Sequence, residues 1–387
     1  MRSNYKDLGK YIRQVDTRNV EDKQENLLGV STQKKFIESI ANTVGTDFKK
    51  YKVVKKYQFT YVPDTSRRGD KIGIAMLETH EEALVSQAYT VFEIIDSEEL
   101  LPEYLMMWFR RPEFDRYARY MSHGSVREIF GWEEMCDIEL PIPSIEKQRE
   151  IVREYHTITE CIRLNEQLNQ KLEETAQALY RQWFNMDEVI DTENSTTLEQ
   201  YIEFNPTHSI KKDTLCSYVE MADVQEDSLS IKQVAKRPYT AGSKFQNGDT
   251  LLARITPCLE NGKTAFVDCL EDGEIAFGST EFIVMRAKNA ISPFWIYCFA
   301  RDEQFRTYAI SSMIGSSGRE RVHSDYLNEY PIMKIDLNTM QKFHEFVQPI
   351  FERIKAKSKE TQLLNTMRQI LLAKMATIEV EIPKERD

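Results

Sequence analysis

With 387 residues, the chain is too long for one ordinary hydrophobic core, so we expect at least two domains. Its apolar runs stay well short of the roughly 20 residues that cross a bilayer, and residues 1–10 are polar; the sequence therefore predicts a cytoplasmic protein with no membrane partner. The 6 cysteines form no C-x-x-C pair and no histidine stands at zinc-finger spacing, which argues against disulfides and a structural zinc.

A net charge of −11 disfavours nucleic-acid binding at first sight, but the charge is unevenly distributed. Between Lys49 and Lys71, 8 basic residues stand against 2 acidic ones, a local balance of +6 that leaves −17 for the rest. Aromatic residues alternate with these cations at Tyr51, Tyr57, Phe59 and Tyr61. Such a mixture suits a DNA surface and equally suits a strand whose aromatic residues pack a core.

The chain matches itself at a spacing of about 190 residues. Residues 109–118 are matched by residues 300–309, with Arg, Phe, Tyr and Ala recurring at the same places, and Gly124-Ser125 recurs as Gly315-Ser316. Pro141-Ile142 recurs as Pro331-Ile332 before a long helical stretch. This spacing is too wide for a solenoid repeat and indicates a duplicated domain.

A long helix is predicted after the first copy, because Ser144 is a good N-cap and neither proline nor glycine occurs between Pro143 and Pro206. Some 40 residues of helix would extend roughly 60 Å. Residues at alternating steps of four and three form a coiled-coil seam in which two asparagines set the register: Ile151, Tyr155, Ile158, Ile162, Asn165, Asn169, Leu172, Ala176, Leu179 and Trp183.

A second helix is predicted from near Asn338, which with Gln341 resembles a capping box, to Thr377. Pro349 should kink it or split off its first turns. Its apolar stripe consists of Phe343, Val347, Ile350, Ile354, Leu364, Leu371 and Met375. Such stripes often belong simply to a core, but two of them following two copies of one domain favour a paired spacer.

The predicted fold is therefore α+β, with two similar mixed α/β domains separated by two long antiparallel coiled-coil helices in a pseudo-twofold arrangement. We place the first domain at residues 1–143 and the first helix at 144–186. The second domain follows at 187–336, and the second helix and tail at 337–387.

Each domain carries basic residues at a hairpin and at a glycine-serine loop. Asn247-Gly248 and Asn261-Gly262 mark turns around a strand of the second copy, and residues 67–71 occupy the equivalent region of the first. Loops of this kind can place backbone N–H groups and guanidinium groups on phosphates or on guanine edges. The candidate DNA-binding residues are Lys49, Lys50, Lys52, Arg67, Arg68, Lys71, Ser125, Arg127, Arg254, Lys263, Ser316, Arg319 and Arg321.

Four segments resemble the specificity (S) subunits of type I restriction-modification systems. Two of them end the predicted domains: Leu140–Ser144 with Gln148, and Tyr330–Ile332 with Gln341. The other two are the helical segment Leu168–Phe184 and the segment Gly248–Arg254. The resemblance extends over essentially the whole chain, and the order and spacing of these segments carry it. The sequence departs from a typical member in its second helix, where Pro349 and the polar run Lys355–Glu360 leave the pairing less regular.

The resemblance implies two target recognition domains that each read half of a split double-stranded DNA site in the major groove. It also implies paired helices that set the distance between the two half-sites and that bind two modification subunits. The candidate residues for binding these subunits are Ile158, Ile162, Leu172, Leu179, Leu364 and Leu371. The modification subunits would use S-adenosylmethionine to methylate adenine N6. Restriction subunits using ATP and Mg would supply cleavage, so this chain would bind no cofactor itself.

Motifs for independent chemistry are missing from the sequence. Asn205-Pro206-Thr207-His208 does not fit the Asn-Pro-Pro-aromatic motif of an amino-methyltransferase, and residues 315–319 lack the Gly-Lys ending of a P-loop. The 6 histidines show no metal spacing. We therefore expect no catalytic, cofactor or metal site. The alternatives are an acidic DNA mimic or anti-restriction protein, which the net charge favours and the local basic patch opposes, and a free-standing enzyme.

Overall fold

A computed structural model of the chain describes residues 5–39, 45–65, 71–123, 128–184, 193–316 and 318–378. The chain divides into two compact units: unit 1 is Met1–Glu160 with Leu364–Asp387, and unit 2 is Cys161–Leu363. The boundaries between the units fall inside two long helices. The domain limits at 143, 186 and 336 drawn from the sequence stay a prediction.

Unit 1 is built around a four-stranded antiparallel sheet. Its strands are β1 (Tyr5–Asp7), β2 (Ile12–Val15), β3 (Leu28–Val30), β4 (Phe36–Glu38), β5 (Lys52–Lys55), β6 (Phe59–Tyr61), β7 (Ile74–Met76), β8 (Glu82–Val85), β9 (Thr90–Ile94) and β10 (Glu139–Pro141). Its short helices are α1 (Pro102–Phe109), α2 (Pro112–Met121) and α3 (Trp132–Cys136), after which α4 (Ile145–Phe184) begins. The central sheet has the order β2-β9-β6-β7, and the remaining strands pair as β1-β10, β3-β4 and β5-β8.

Unit 2 repeats this plan and adds a second four-stranded sheet. Its strands are β11 (Ser195–Thr197), β12 (Ile202–Phe204), β13 (Leu215–Val219), β14 (Ala235–Pro238), β15 (Ser243–Phe245), β16 (Thr250–Ala253), β17 (Thr264–Phe266), β18 (Ala276–Gly278), β19 (Phe282–Ala287) and β20 (Pro331–Met333). Its helices are α5 (Pro293–Ala300), α6 (Glu303–Ser311), α7 (Ser324–Asn328) and α8 (Leu337–Lys374). The sheets have the orders β12-β19-β16-β17 and β14-β13-β18-β15, and β11 pairs with β20.

The predicted duplication is confirmed by the topology. The sheet β2-β9-β6-β7 of unit 1 corresponds strand for strand to β12-β19-β16-β17 of unit 2, and three short helices follow each sheet before a terminal strand and a long helix. In both sheets the strand register agrees, because Thr60 lies opposite Val91 where Leu251 lies opposite Val284. The outer strands correspond as well: β5 pairs antiparallel with β8, with Lys52 opposite Val85, and β15 pairs antiparallel with β18, with Ser243 opposite Gly278. The parallel pairing of β13 with β18 has its counterpart in the parallel bridge between Leu27 and Leu84.

The segments 102–117 and 293–308 each form two short helices, because Pro112 begins α2 and the Asp302 carboxylate caps α6 by accepting from Gln304 N at 2.9 Å. The predicted cap of the second long helix is wrong. The second long helix is capped by Asp336, which accepts from Thr339 N at 2.9 Å, and Asn338 lies inside the helix. Gln341 is exposed and donates to Glu345 instead of forming a capping box.

The first long helix follows the prediction. The Ser144 hydroxyl accepts from Lys147 N at 3.4 Å just before α4 begins, and α4 continues for 40 residues. All ten residues of the predicted seam are buried or half-buried. The helix α8 has 38 residues and continues through Pro349 without splitting.

The two long helices pack together in an antiparallel sense. In unit 2, the Trp183 ring lies 6.2 Å from that of Phe343, and Asn169 Nδ2 donates to Ser358 Oγ at 3.1 Å. The two helices therefore run in opposite directions. In unit 1, Ile151 and Tyr155 of α4 share a hydrophobic core with Leu372 near the end of α8. The predicted coiled coil is confirmed.

Candidate nucleic-acid interface

Two loops of unit 1 lie side by side. The hairpin loop (residues 62–73) joins β6 to β7, and the Gly-Ser loop (residues 122–131) joins α2 to α3. Phe130 N donates to Pro63 O at 2.9 Å, and Thr65 N donates to Glu128 O at 3.0 Å. These bonds bring together two segments that the sequence analysis had singled out separately.

Unit 2 joins its corresponding loops by the same bonds. Its hairpin loop is residues 254–263 and its Gly-Ser loop is residues 312–323. Val322 N donates to Arg254 O at 2.9 Å, and Thr256 N donates to Glu320 O at 3.1 Å. The Gly-Ser loops also close in the same way, through reciprocal backbone bonds between His123 and Ile129 in unit 1 and between Ile314 and Arg321 in unit 2. We call this shared backbone arrangement the loop frame.

In unit 2 the loop frame carries a cluster of three charged side chains. The Arg321 guanidinium donates to Glu281, with Nη2 2.8 Å and Nε 3.1 Å from Oε1. Arg254 Nε donates to Glu281 Oε2 at 3.3 Å. The hydrogen bond from Arg321 holds the pKa of Glu281 below its ordinary value, so this carboxylate is ionised at neutral pH and fixes both arginines.

The other candidate residues of unit 2 divide between solvent and internal bonds. Ser316 and Arg319 are exposed in the Gly-Ser loop. Lys263 is half-buried, and its Nζ donates to Met221 O at 3.1 Å. The exposed Arg319 of the Gly-Ser loop is therefore better placed to contact a phosphate than the ammonium group of Lys263.

The basic patch of unit 1 is less uniform than its sequence suggests. Lys71 is exposed at the end of the hairpin loop, and Lys49 and Lys50 are exposed in the single helical turn Phe48–Lys50. Lys52 is buried in β5, where its Nζ donates to Tyr89 O at 2.8 Å and lies 3.5 Å from Asp16. We therefore leave Lys52 out of the proposed interface.

Four candidate residues of unit 1 lie outside the described residues: Arg67, Arg68, Ser125 and Arg127. The aromatic residues of the patch are placed. Phe59 and Tyr61 are fully buried, and the Phe59 ring stacks on Phe92 at 4.9 Å. At these two positions the interpretation as core strand is correct.

The predicted docking residues of the long helices face inward. Ile162 is buried, Leu172 and Leu179 pack against the core of unit 2, and Leu371 packs against the core of unit 1. Ile158 and Leu364 are half-buried. Other apolar residues of these helices are exposed: Leu164 and Leu168 of α4 in unit 2, and Met367 and Ile370 of α8 in unit 1.

One half-buried carboxylate attaches α4 to the domain that follows it. Glu173 accepts from Leu229 N at 2.9 Å and from the Tyr297 hydroxyl, and its Oε1 lies 3.8 Å from Arg301 Nε. Burial raises the pKa of Glu173 above its ordinary value. Sequence reasoning missed Glu173 as well as Glu281, because acidic residues were not sought among candidates for a DNA surface.

Among the residues that the structure describes, no three His, Cys, Asp or Glu side chains cluster closely enough to hold a metal ion. No helix in the described ranges is both long and apolar enough to span a bilayer.

The fold is a duplicated mixed α/β domain in which each copy is followed by a long helix. Residues 4–174 match the family described as the type I restriction modification DNA specificity domain. Over 311 residues the chain is 23% identical to the type I restriction enzyme MjaIX specificity subunit of Methanocaldococcus jannaschii, which covers 75% of this chain and 71% of that subunit. It is 31% identical over 146 residues to the EcoAI specificity subunit of Escherichia coli, or 35% of this chain and 24% of that subunit.

The fold has a solved counterpart in the S subunit of a type I restriction-modification system from M. genitalium. The structures agree with a TM-score of 0.56 over 97% of this chain and 96% of the other, at 12% sequence identity. Through residues 4–174 the chain therefore contains a segment that matches the type I restriction modification DNA specificity domain, and it is similar in sequence to specificity subunits and in fold to an S subunit. The relatives named here are specificity subunits, and none of them is a DNA mimic or an anti-restriction protein.

Proposed function

We propose that this chain selects the DNA sequence on which a type I restriction-modification complex acts, with unit 1 and unit 2 each reading one half of a bipartite site. The loop frame carries this proposal. It recurs in both units with the same backbone bonds and displays Lys71 in one unit and Arg319 in the other. Exposed cations on neighbouring loops supply phosphate contacts, while the side chains between them reach base edges.

The chemistry of the complex is assigned to its partners. Modification subunits bring S-adenosylmethionine and methylate adenine N6, and restriction subunits use ATP and Mg to cleave DNA. The chain itself then works as a non-catalytic subunit, and we place the complex in the cytoplasm. The long helices set the separation of the half-sites. Because both reading domains must face the duplex, we expect the half-sites to be about one helical turn apart, or near a multiple of it.

We propose that modification subunits dock on the exposed apolar side chains of the long helices rather than on the inward-facing seam. Leu164 and Leu168 lie one turn apart on α4, and Met367 and Ile370 lie one turn apart on α8. Leu164→Glu with Leu168→Glu should abolish co-purification of a modification subunit without unfolding the chain. The matched control Arg163→Glu, at a neighbouring exposed position of α4, should leave co-purification intact. If the double variant still co-purifies, this surface is not the docking site.

DNA binding is tested most simply by the salt dependence of affinity. The chain assembled with modification subunits should bind duplex DNA, and the logarithm of its affinity should fall linearly with that of the salt concentration. A DNA mimic would bind at neither low nor high salt. An enzyme in its own right would transfer methyl groups when the chain alone is incubated with DNA and S-adenosylmethionine.

The candidate residues outside the described ranges can be tested in the same assay. Arg67→Ala with Arg68→Ala should weaken binding or relax the sequence preference of unit 1. Unchanged affinity and an unchanged methylation pattern would remove both arginines from the interface.

A further inference from the structure

The loop frame makes residue-by-residue comparison of the units possible without any other sequence. Because the backbone bonds coincide, Pro63 of unit 1 stands where Arg254 stands in unit 2, and Ile129 stands where Arg321 stands. The side chains at the same two places of one frame are therefore apolar in unit 1 and cationic in unit 2.

A third position completes the correspondence. In unit 2, Phe282 N donates to Ser279 O, and Glu281 N donates to Ser279 Oγ at 3.2 Å. In unit 1, Tyr89 N donates to Ser86 O, and Ala88 N donates to Ser86 Oγ at 3.3 Å. Ala88 is thus the counterpart of Glu281. All three members of the charged cluster are replaced together by small or apolar residues.

This joint replacement indicates a variable reading position on a constant scaffold. A cluster that only held the loops together would be needed in both units, yet the unit 1 loops keep the same backbone bonds without it. We propose that Arg321, held by Glu281, reads the O6 and N7 edge of a guanine in the half-site recognised by unit 2. This inference rests on the proposed function.

The geometry of the Arg321 side chain suits that role. A guanidinium has five N–H groups in fixed directions. Within the described part of the chain, Nε and Nη2 donate to Glu281, and Nη1 donates to Arg319 O at 3.1 Å. One N–H then remains on each terminal nitrogen, which is the number of donors that a bidentate contact to O6 and N7 of guanine uses.

Exposure and charge agree with a base contact. The Arg321 side chain is 36% exposed, so the fork is reachable from solvent while its other edge is fixed. Arg254 holds the second oxygen of Glu281, and the carboxylate thus keeps one bound orientation. Glu281 and Arg254 are positioning residues, whereas Arg321 is the residue that touches the base.

The inference also distinguishes the two half-sites. Ile129 is 47% exposed and presents methyl groups where Arg321 presents N–H groups. An apolar side chain in the major groove fits the methyl group of thymine and cannot fork onto guanine. The half-site of unit 2 should therefore require a G·C pair that the equivalent position of unit 1 does not.

The test uses the chain co-expressed with its modification subunits, with methylated adenines located by sequencing. Arg321→Lys keeps the charge but loses the fork, so the preference for G·C at one position of one half-site should fall about tenfold or more. Glu281→Gln should relax the same position. Arg319→Ala, a change in an exposed cation of the same loop, should weaken methylation at all sites alike. An unchanged methylated sequence, or an equal loss at all sites for Arg321→Lys, would overturn the inference.

A second measurement does not depend on the folding of any variant. Duplexes carrying 7-deazaguanine at the required position lack the N7 acceptor, so the wild-type complex should bind them about tenfold or more weakly, while the Arg321→Lys complex should not distinguish them. Equal binding by the wild type defeats the guanine assignment alone. A wild-type complex that neither binds nor methylates DNA defeats the proposed function instead.

Discussion

The two units share the backbone bonds of the loop frame and differ in the side chains that the frame displays. In unit 1 the loop frame carries Pro63 and Ile129, and the turn before β9 carries Ala88. In unit 2 the loop frame carries Arg254 and Arg321, and the turn before β19 carries Glu281, although the backbone bonds that join the loops are the same. The scaffold is thus maintained by main-chain hydrogen bonds and buried aromatic or aliphatic residues. The exposed side chains are free to differ, and this difference is what two unlike half-sites require.

The largest expected effect concerns the buried residue that follows each variable position. Phe130 is fully buried, and its ring lies 6.3 Å from Phe114, whereas Val322 is the buried counterpart in unit 2. Phe130→Ala should destabilise unit 1 by about 3 to 5 kcal/mol, and Val322→Ala should destabilise unit 2 by about 2 kcal/mol. Urea unfolding followed by hydrogen exchange in each unit measures both. Equal losses would show that the two frames are not packed as described.

The glycine of the unit 2 loop provides a smaller effect. At Gly315 the backbone φ is +150°, and an added Cβ would lie 2.8 Å from Arg319 O. Gly315→Ala should cost about 1 to 3 kcal/mol and weaken discrimination at the unit 2 half-site only. Gly318, with φ of +75° and open space around it, is the matched control, for which alanine should cost about 1 kcal/mol. If both substitutions behave alike, the close approach at Gly315 does not matter.

The exposed cations should have equal and modest effects in the two units. Lys71→Ala in unit 1 and Arg319→Ala in unit 2 should each weaken binding to all sequences and reduce the salt slope by about 1. Titrations at several salt concentrations measure this. A sequence-dependent loss for either variant would move that residue from the phosphate contacts to the base contacts.

The smallest effect is the pH dependence that the Glu281 carboxylate adds to the stability of unit 2. The bond from Arg321 lowers the pKa of Glu281 in the folded chain from its ordinary 4.5. The stability that the ionised Glu281 carboxylate contributes is therefore fully present above pH 4.5. It is lost as the pH falls through the lower pKa that Glu281 has in the folded chain. Acid unfolding followed in unit 2 should lose this component in Glu281→Gln. The counterpart Ala88 cannot titrate, so this position contributes no acid-sensitive stability in unit 1.

The elements with strong periodicity or clear stop signals could be predicted from the sequence. Helix α4 could be predicted because Ser144 precedes it and neither proline nor glycine interrupts it. The duplication could be predicted because core residues such as Phe114 and Phe305 recur at matching positions of the two copies. The Asp302 cap was a readable signal for the break between α5 and α6 that we did not use. Of the two outcomes predicted for Pro349, a kink or a split, the split does not occur, because Val347 and Phe351 on either side of it pack in the core and α8 stays continuous.

The candidate site was only partly predictable. The sequence marked Arg254 and Arg321 as basic residues in loops, but Glu281, which holds both, is distant from them along the chain and is acidic. Backbone bonds between loops leave no side-chain pattern, so the loop frame could not be foreseen. Lys52 shows the opposite error, because a cation in a basic run was assigned to a surface while the fold buries it.

The central claim is that each unit reads its own half of the DNA site through its own loop frame. It is tested most directly by sequencing methylated adenines for Ile129→Ala and for Arg321→Lys beside the wild type. We predict a bipartite sequence in which the two variants relax different halves and leave the gap unchanged. A continuous recognition sequence, or two variants that alter the same positions, would contradict this account.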